Sequence, residues 1–90
     1  MSSEELLLDE VKNRLNITWN YDDEELILII SEAKEFIFLR VGEVDFLTDI
    51  SAKRLLKEYC RYAWDGALSV FELNFRSDIL NLQLKNATKI

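Results

Sequence analysis

The sequence contains no histidine, no proline, two glycines and a single cysteine, Cys60, among its 90 residues. Without proline and with so few glycines, the chain lacks the turn residues that β-sandwiches and barrels need, so helices with short connections are expected. A single cysteine excludes an internal disulfide and fits a reducing compartment. Since no histidine is present to activate it, Cys60 is expected to be a small buried hydrophobic residue, not a nucleophile.

No apolar run approaches the length of a membrane-spanning helix. The longest run, Leu26–Ile30, is far short of the about 20 residues that a span needs. Residues 1–5 are acidic and lack the basic region followed by an apolar region that marks a secretion signal. A soluble, intracellular protein of one domain, residues 1–90, is therefore expected, with no membrane partner.

The formal net charge is −6, and it is unevenly distributed. Residues 1–50 hold thirteen acids and four bases, a net charge of −9, whereas residues 51–90 hold four acids and seven bases, a net charge of +3. The overall sign disfavours general binding to nucleic acid, because an acidic surface repels backbone phosphates. An acidic half and a basic half favour head-to-tail contact between copies, and two solvated faces are the alternative.

The most apolar element is a helix predicted over Asp22–Val41, with a capping-box start at Asp22 and with Gly42 as its terminator. One face carries apolar residues at steps of three or four: Leu26, Ile30, Ala33, Ile37 and Val41. Other apolar residues are spread around the remaining surface of the same helix: Ile27, Leu28, Ile29, Phe36, Phe38 and Leu39.

A helix that is apolar nearly all round must be covered nearly all round. In a domain of this size, part of that cover is expected to come from a second copy of the chain. Ile27, Phe38 and Leu39 are the candidate apolar interface residues, and burial in the chain's own core is the alternative for each.

Helices are also predicted over four other segments: Ser3–Leu15, Ile50–Asp65 with Thr48 or Asp49 as its cap, Ala67–Phe75 and Asp78–Lys85. The last of these also alternates like a strand, but its leucine, glutamine and lysine residues favour a helix. Residues 86–90 are expected to be a loose tail. The predicted fold class is all-α, a small bundle of four to five helices in which the long second helix is packed by helices 1 and 3 and the C-terminal helices.

Lys53, Lys57 and Arg61 recur every four residues on the predicted third helix and form a basic stripe. Glu32 and Glu35 lie three residues apart on the long helix and can face the same way. Three environments fit the stripe: these acids on a neighbouring copy, solvent, or the phosphates of DNA. A helix-turn-helix is disfavoured because the connection before the third helix is too long.

No group of residues indicates catalysis, since histidine, a cysteine cluster and a glycine-rich loop are all missing from the sequence. The acidic run Asp22–Glu25 lies in a first helical turn, where the helix dipole favours negative charge. Four consecutive residues point in different directions and cannot converge on an ion. The sequence therefore predicts no catalytic, cofactor-binding or metal-binding residue and no enzymatic activity.

Helical segments follow one another in a characteristic order along nearly the whole chain: Leu7–Ile17, Asp22–Leu26, Ile29–Ile37, Leu56–Trp64, Phe71–Phe75 and Asp78–Leu82. In this order and spacing they resemble the small head-tail connector proteins, also called head-completion or adaptor proteins, of long-tailed bacteriophages. The loop after the long helix, Val41–Glu43, is shorter than the glycine-rich or tyrosine-containing loop usual in that family.

The resemblance implies a structural virion protein without cofactors, located at the head-tail interface and assembled in the host cytoplasm. Its members form a ring, commonly twelve-fold, below the portal protein. The ring extends the DNA channel, passes DNA without sequence-specific binding, and docks the next connector, stopper or tail protein.

A ring of identical subunits requires a head-to-tail interface, in which one face of a copy meets a different face of the next. The candidate interface residues are Ile27, Phe38, Leu39, Glu32, Glu35, Lys53, Lys57 and Arg61. The candidate portal contacts are Leu84, Lys85, Lys89 and Ile90. The alternative function is a small helical regulator that binds DNA or a protein partner.

Overall fold

The structure, a computed structural model, describes residues 3–88, which form five α-helices and no strand. The helices are α1 (Ser3–Leu15), α2 (Asp23–Val41), α3 (Ile50–Trp64), α4 (Phe71–Asn74) and α5 (Arg76–Ala87), with a 3₁₀ turn, Leu68–Val70, before α4. The all-α prediction is confirmed, as is the choice of helix over strand for the C-terminal segment. None of the helices in residues 3–88 has the length and apolarity of a membrane-crossing segment.

α2 is the central element of the bundle and contacts α1, α3 and α5. Its inner face consists of Leu26, Ile30, Ala33 and Ile37, all of which are 0% exposed. Val41 continues the same stripe at the end of the helix and packs, partly buried, against this core. The apolar stripe predicted from the spacing is therefore confirmed, and it supplies the centre of the hydrophobic core.

The connection from α1 to α2 starts with a Schellman motif. The backbone N–H of Asn16 donates to the carbonyl of Asn13 at 3.3 Å, and that of Ile17 donates to the carbonyl of Lys12 at 2.9 Å. Asn16 has a φ of 60°, the left-handed conformation that asparagine tolerates. α3 ends with the same two bonds around Gly66, whose φ is 72°. Both ends follow from local sequence signals.

The end of α2 is completed by side chains of α5. The last carbonyls of a helix have no partner within that helix. Here Gln83 Nε2 donates to the carbonyl of Arg40 at 2.7 Å, and Asn86 Nδ2 donates to the carbonyl of Val41 at 2.8 Å. Gly42 has a φ of 98°, and a Cβ there would lie 2.9 Å from Asn86 Nδ2. The predicted terminator is thus also a point of close approach between α2 and α5.

The C-terminal region departs from the sequence-based expectation in two ways. α5 runs from Arg76 to Ala87 instead of Asp78 to Lys85, because Asn86 is bound to the end of α2. The prediction of a loose tail from residue 86 is therefore wrong for Asn86 and Ala87, whereas Lys89 and Ile90 lie outside the described residues. The helix predicted over residues 67–75 is divided into the 3₁₀ turn and the single turn of α4.

Phe71 explains the division, since it enters the core and is 1% exposed. Its ring centroid lies 4.9 Å from that of Phe75, 5.3 Å from that of Tyr59, 5.4 Å from that of Tyr62 and 5.6 Å from that of Phe36. Aromatic contacts at these separations stabilise packing beyond the area they bury. The cluster fixes α4 against α2 and α3.

Cys60 lies in the same core and is 0% exposed, as the sequence predicts. Burial raises the pKa of its thiol to about 12, so the reactive thiolate is suppressed at neutral pH.

Two lysines fasten α1 and the loop after it to α2. Lys12 Nζ donates to Asp23 Oδ1 at 2.8 Å and to Asn20 Oδ1 at 2.7 Å. Lys12 is a charged residue that is only 9% exposed. Lys34 donates to Glu4 Oε2 at 2.5 Å, and this hydrogen bond is the main reason that the pKa of Glu4 is lowered. Partly buried pairs of this kind fix the orientation of α1.

Candidate assembly surfaces

The side of α2 opposite its inner face is not covered by the chain. Residues 28, 32, 35 and 39 are spaced by four, three and four positions and therefore share one side of the helix. We call Leu28, Glu32, Glu35 and Leu39 the outer face of α2. Leu28 is 61% exposed and Leu39 is 68% exposed. Both leucines belong to the most apolar helix and remain open to contact with another protein.

The carboxylates of the outer face of α2 have no cationic partner in the part of the chain that the structure describes. Neither Glu32 nor Glu35 forms an ion pair there. Other acids do so, for example Glu4 and Asp23, which are bound to lysines. The outer face therefore combines apolar side chains with uncompensated negative charge.

The other candidate residues on α2, Ile27 and Phe38, lie on a different side. Ile27 is half-buried, whereas Phe38 is 57% exposed. Phe38 lines an open groove of about 710 Å³ with Leu47 and Val44 of the loop between α2 and α3. The sequence correctly selected Phe38 and Leu39 as apolar residues that the core cannot use, but it did not separate the two surfaces to which they belong.

The basic stripe on α3 is largely satisfied within the chain. Glu10 of α1 lies between its two lysines, with Lys53 Nζ at 3.0 Å and Lys57 Nζ at 3.9 Å from its carboxylate oxygens. Arg61 Nη1 is 3.9 Å from Glu58 Oε2. Lys53 therefore has a close partner in the same chain, whereas Lys57 and Arg61 each have an acid only at a long 3.9 Å. Pairing of this stripe with acids of another copy stays a prediction.

The cation of α3 without an ion pair among residues 3–88 is Arg54, which is adjacent to the basic stripe in the sequence. Arg54 is exposed. It shares one side of the helix with Ile50, four residues earlier, and Arg61, seven residues later. We call Ile50, Arg54 and Arg61 the outer face of α3; Ile50 is 82% exposed.

A groove of about 280 Å³ runs beside this face, between α3 and α5. Ile50, Arg54 and Glu58 line it on one side, and Phe75 and Leu82 line it on the other. Glu58 Oε1 accepts from Arg14 Nη2 at 2.9 Å, but its buried Oε2 has no hydrogen-bond partner among the described residues. The cationic Arg61 Nη1 lies 3.9 Å from this oxygen.

The candidate contacts at the C-terminus are only partly accounted for by the structure. Leu84 is exposed on α5, as is Leu80 one turn earlier. Lys85 Nζ lies 3.1 Å from Asp49 Oδ1 and so fastens α5 to the start of α3. Lys89 and Ile90 lie outside the described residues.

The loop between α1 and α2 displays an aromatic pair, Trp19 and Tyr21, at the surface. The rings of Trp19 and Tyr21 are stacked with centroids 5.7 Å apart, and Tyr21 is 83% exposed. Trp19 Nε1 donates to Asp22 Oδ2 at 2.7 Å, which turns this carboxylate away from helix capping. No local signal distinguishes such a pair from core aromatics, since only the surrounding helices determine which side is covered.

The described residues hold no group of three or more histidine, cysteine, aspartate or glutamate residues that could bind a metal ion. The most acidic segment, Asp23–Glu25, occupies the first turn of α2, as predicted.

A protein-family model described as the phage gp6-like head-tail connector protein matches residues 5–89. The match includes nearly the whole chain and every surface described above. No curated protein and no solved structure matches the chain significantly.

Proposed function

The chain belongs to the phage gp6-like head-tail connector family, and from this premise we propose that it forms a ring below the portal protein. Members of this family are structural proteins that connect head and tail in the phage particle. In the proposed ring, twelve copies contact one another head to tail in the virion, after assembly in the host cytoplasm. The ring extends the DNA channel and docks the next connector, the stopper or the tail protein.

The observation that carries this proposal is the uncovered outer face of α2. Leu28 and Leu39 are more exposed than buried, although the inner face of the same helix is fully buried. Exposed apolar surface on a small domain marks a site of protein contact. A ring needs such a surface on each copy, and Phe38, beside the groove under the loop between α2 and α3, extends it.

The charge of the chain supports a passive role towards DNA. A net charge of −6 repels phosphates, so duplex DNA would pass through the ring without being held or read. The alternative of a DNA-binding regulator depended on the basic stripe of α3. Glu10 now accounts for Lys53 and Lys57 within the chain, which weakens that alternative.

For contact with the portal we propose the C-terminal end of α5. Leu84 is exposed there, and the sequence continues to Lys89 and Ile90. Lys85 contributes by holding this end of α5 against Asp49, not as a free cation.

Electron microscopy of phage heads that carry the portal but no tail tests the proposal. Adding the purified full-length chain should place a ring of density at the portal vertex and nowhere else on the capsid. Heads without a portal are the control and should remain undecorated. Absence of density at the vertex would contradict the proposed ring. Salt-dependent binding to duplex DNA that Lys57→Glu weakens would instead support the regulator.

A further inference from the structure

The outer faces of α2 and α3 are each turned away from the hydrophobic core that the two helices share. The outer face of α2 displays carboxylates, and the outer face of α3 displays guanidinium groups. Two different and complementary patches are what a head-to-tail contact between identical copies requires.

Three charged residues on these two faces are among those without an ion pair in the described part of the chain. Glu32 and Glu35 have no ion pair among residues 3–88, and neither does Arg54. Arg61 has only Glu58, at a long 3.9 Å. A partner of opposite charge on a second copy would supply the missing contacts without removing any strong pair within the chain.

The spacing of apolar and charged residues matches between the two faces. On α2, Glu35 lies four positions before Leu39 in the sequence. On α3, Arg54 lies four positions after Ile50. Both separations correspond to a rise of about 6 Å. An antiparallel arrangement therefore brings the two apolar residues together and the two charged residues together.

Beyond these two pairs the spacing differs by one helical turn, so that Glu32 is level with Lys57 and Arg61 is level with Leu28. Glu32 lies seven positions from Leu39, a rise of about 10 Å, and Arg61 lies eleven positions from Ile50, a rise of about 16 Å. The difference of about 6 Å is one that the long, flexible stem of an arginine side chain can bridge.

We propose that the outer face of α2 of one copy binds, antiparallel, to the outer face of α3 of the next copy. This inference rests on the proposed function and identifies the two surfaces of the ring contact. The contact consists of one apolar pair and two ion pairs: Leu39–Ile50, Glu35–Arg54 and Glu32–Arg61. Apolar burial supplies most of the affinity, and the ion pairs set the direction and register.

Two charge-reversed variants of the full-length chain test this pairing. Glu32→Lys/Glu35→Lys makes both outer faces basic, and Arg54→Glu/Arg61→Glu makes both acidic. Each variant alone would juxtapose like charges at every contact and should lose the ring. A mixture in equal amounts should recover it, because alternating copies place opposite charges at every contact. Sedimentation velocity and electron microscopy, with wild-type chain as reference, measure the fraction in rings.

A matched control separates pairing from a change of net charge. Glu5→Lys/Asp9→Lys changes the net charge by the same amount as Glu32→Lys/Glu35→Lys, at exposed acids of α1 outside both faces, and should retain the ring. Circular dichroism of all variants verifies that they are folded. The measurements are made at high protein concentration, with and without portal-bearing heads.

The outcomes distinguish the inference from the proposed function. If the wild-type chain forms rings and the mixture does not, or if either variant alone forms rings like the wild type, the assignment of the two faces is wrong while the ring stands. A wild-type chain that forms no ring, alone or on portal-bearing heads, overturns the proposed function and this inference with it.

Discussion

On the inner side of α2, Leu26, Ile30 and Ile37 are fully buried, whereas on the outer side Leu28 and Leu39 remain more than half exposed. Both sides carry large aliphatic residues, so hydrophobicity alone does not explain the contrast. α1, α3 and α5 all pack against the inner side. A leucine on this helix is buried or exposed according to which neighbours the chain places beside it.

The difference shows how one helix can serve both folding and assembly. The inner face is apolar without interruption, whereas Glu32 and Glu35 separate the two leucines of the outer face. These carboxylates hydrate the outer face in a free copy, which limits unspecific association. They also make the outer face negatively charged, which favours a positively charged partner.

Truncating the inner face should have the largest effect on stability. Ile37→Ala would leave a cavity at a site with 0% exposure and lower the free energy of unfolding by about 2–5 kcal/mol. Leu39→Ala, on the other side of the same turn, should change it by no more than about 0.5 kcal/mol. Urea denaturation followed by circular dichroism measures both, and equal losses would contradict the contrast between the two faces.

The sequence could predict the buried side of α2 but not the full arrangement of its exposed side. Signals that act within one helix or one turn were readable: the inner stripe of α2, Gly42 as its terminator, and a cap for α3 at Thr48 or Asp49. The structure selects Asp49, whose carboxylate accepts the N–H of Ala52 at 3.2 Å. Each depends on residues at most four positions away. The fold class followed from these local signals together.

Features that depend on distant residues were not readable. Lys53 and Lys57 looked free because their partner, Glu10, is more than forty positions away in the sequence. Asn86 looked like tail because the carbonyl that it binds, that of Val41, belongs to another helix. The candidate surfaces are of this kind, since exposure is decided by tertiary packing. Phe38 and Leu39 are exposed, but their role in an interface stays a prediction.

An intermediate effect is expected for Asp49, which joins the start of α3 to the end of α5. Its side chain caps α3 and lies 3.1 Å from Lys85 Nζ. Asp49→Ala should lower the free energy of unfolding by about 0.5–2 kcal/mol, the usual range for a lost cap. Lys85→Ala removes only the exposed ion pair and should cost less than about 0.5 kcal/mol. Equal losses in urea denaturation would assign the stabilisation to the ion pair.

A smaller effect is expected when the acid that binds α1 to α2 is protonated. The hydrogen bond from Lys34 lowers the pKa of Glu4 below its ordinary value of 4.5. Because the folded-state pKa is the lower one, this contribution to stability is complete above the unfolded-state pKa. It is lost as the pH falls through the folded-state pKa. Glu4→Gln should therefore reduce the urea midpoint at neutral pH and make it less sensitive to acid.

A double-mutant cycle shows whether Lys34 is the cause. In a Lys34→Ala background, Glu4→Gln should no longer alter the pH dependence of the urea midpoint. If Glu4→Gln has the same effect with and without the lysine, a different contact lowers the pKa.

The smallest effect on folding is expected for substitutions on the outer face of α2. The same substitutions should abolish ring assembly. Leu28→Gln/Leu39→Gln keeps good helix formers at exposed sites and should alter the free energy of unfolding by no more than about 0.5 kcal/mol. The same change removes the apolar surface through which copies would associate, so rings should disappear in sedimentation velocity. Leu73→Gln/Leu80→Gln, an equal change at exposed leucines of α4 and α5, should leave them intact. Rings that survive in the first variant would mean that the uncovered side of α2 has another partner.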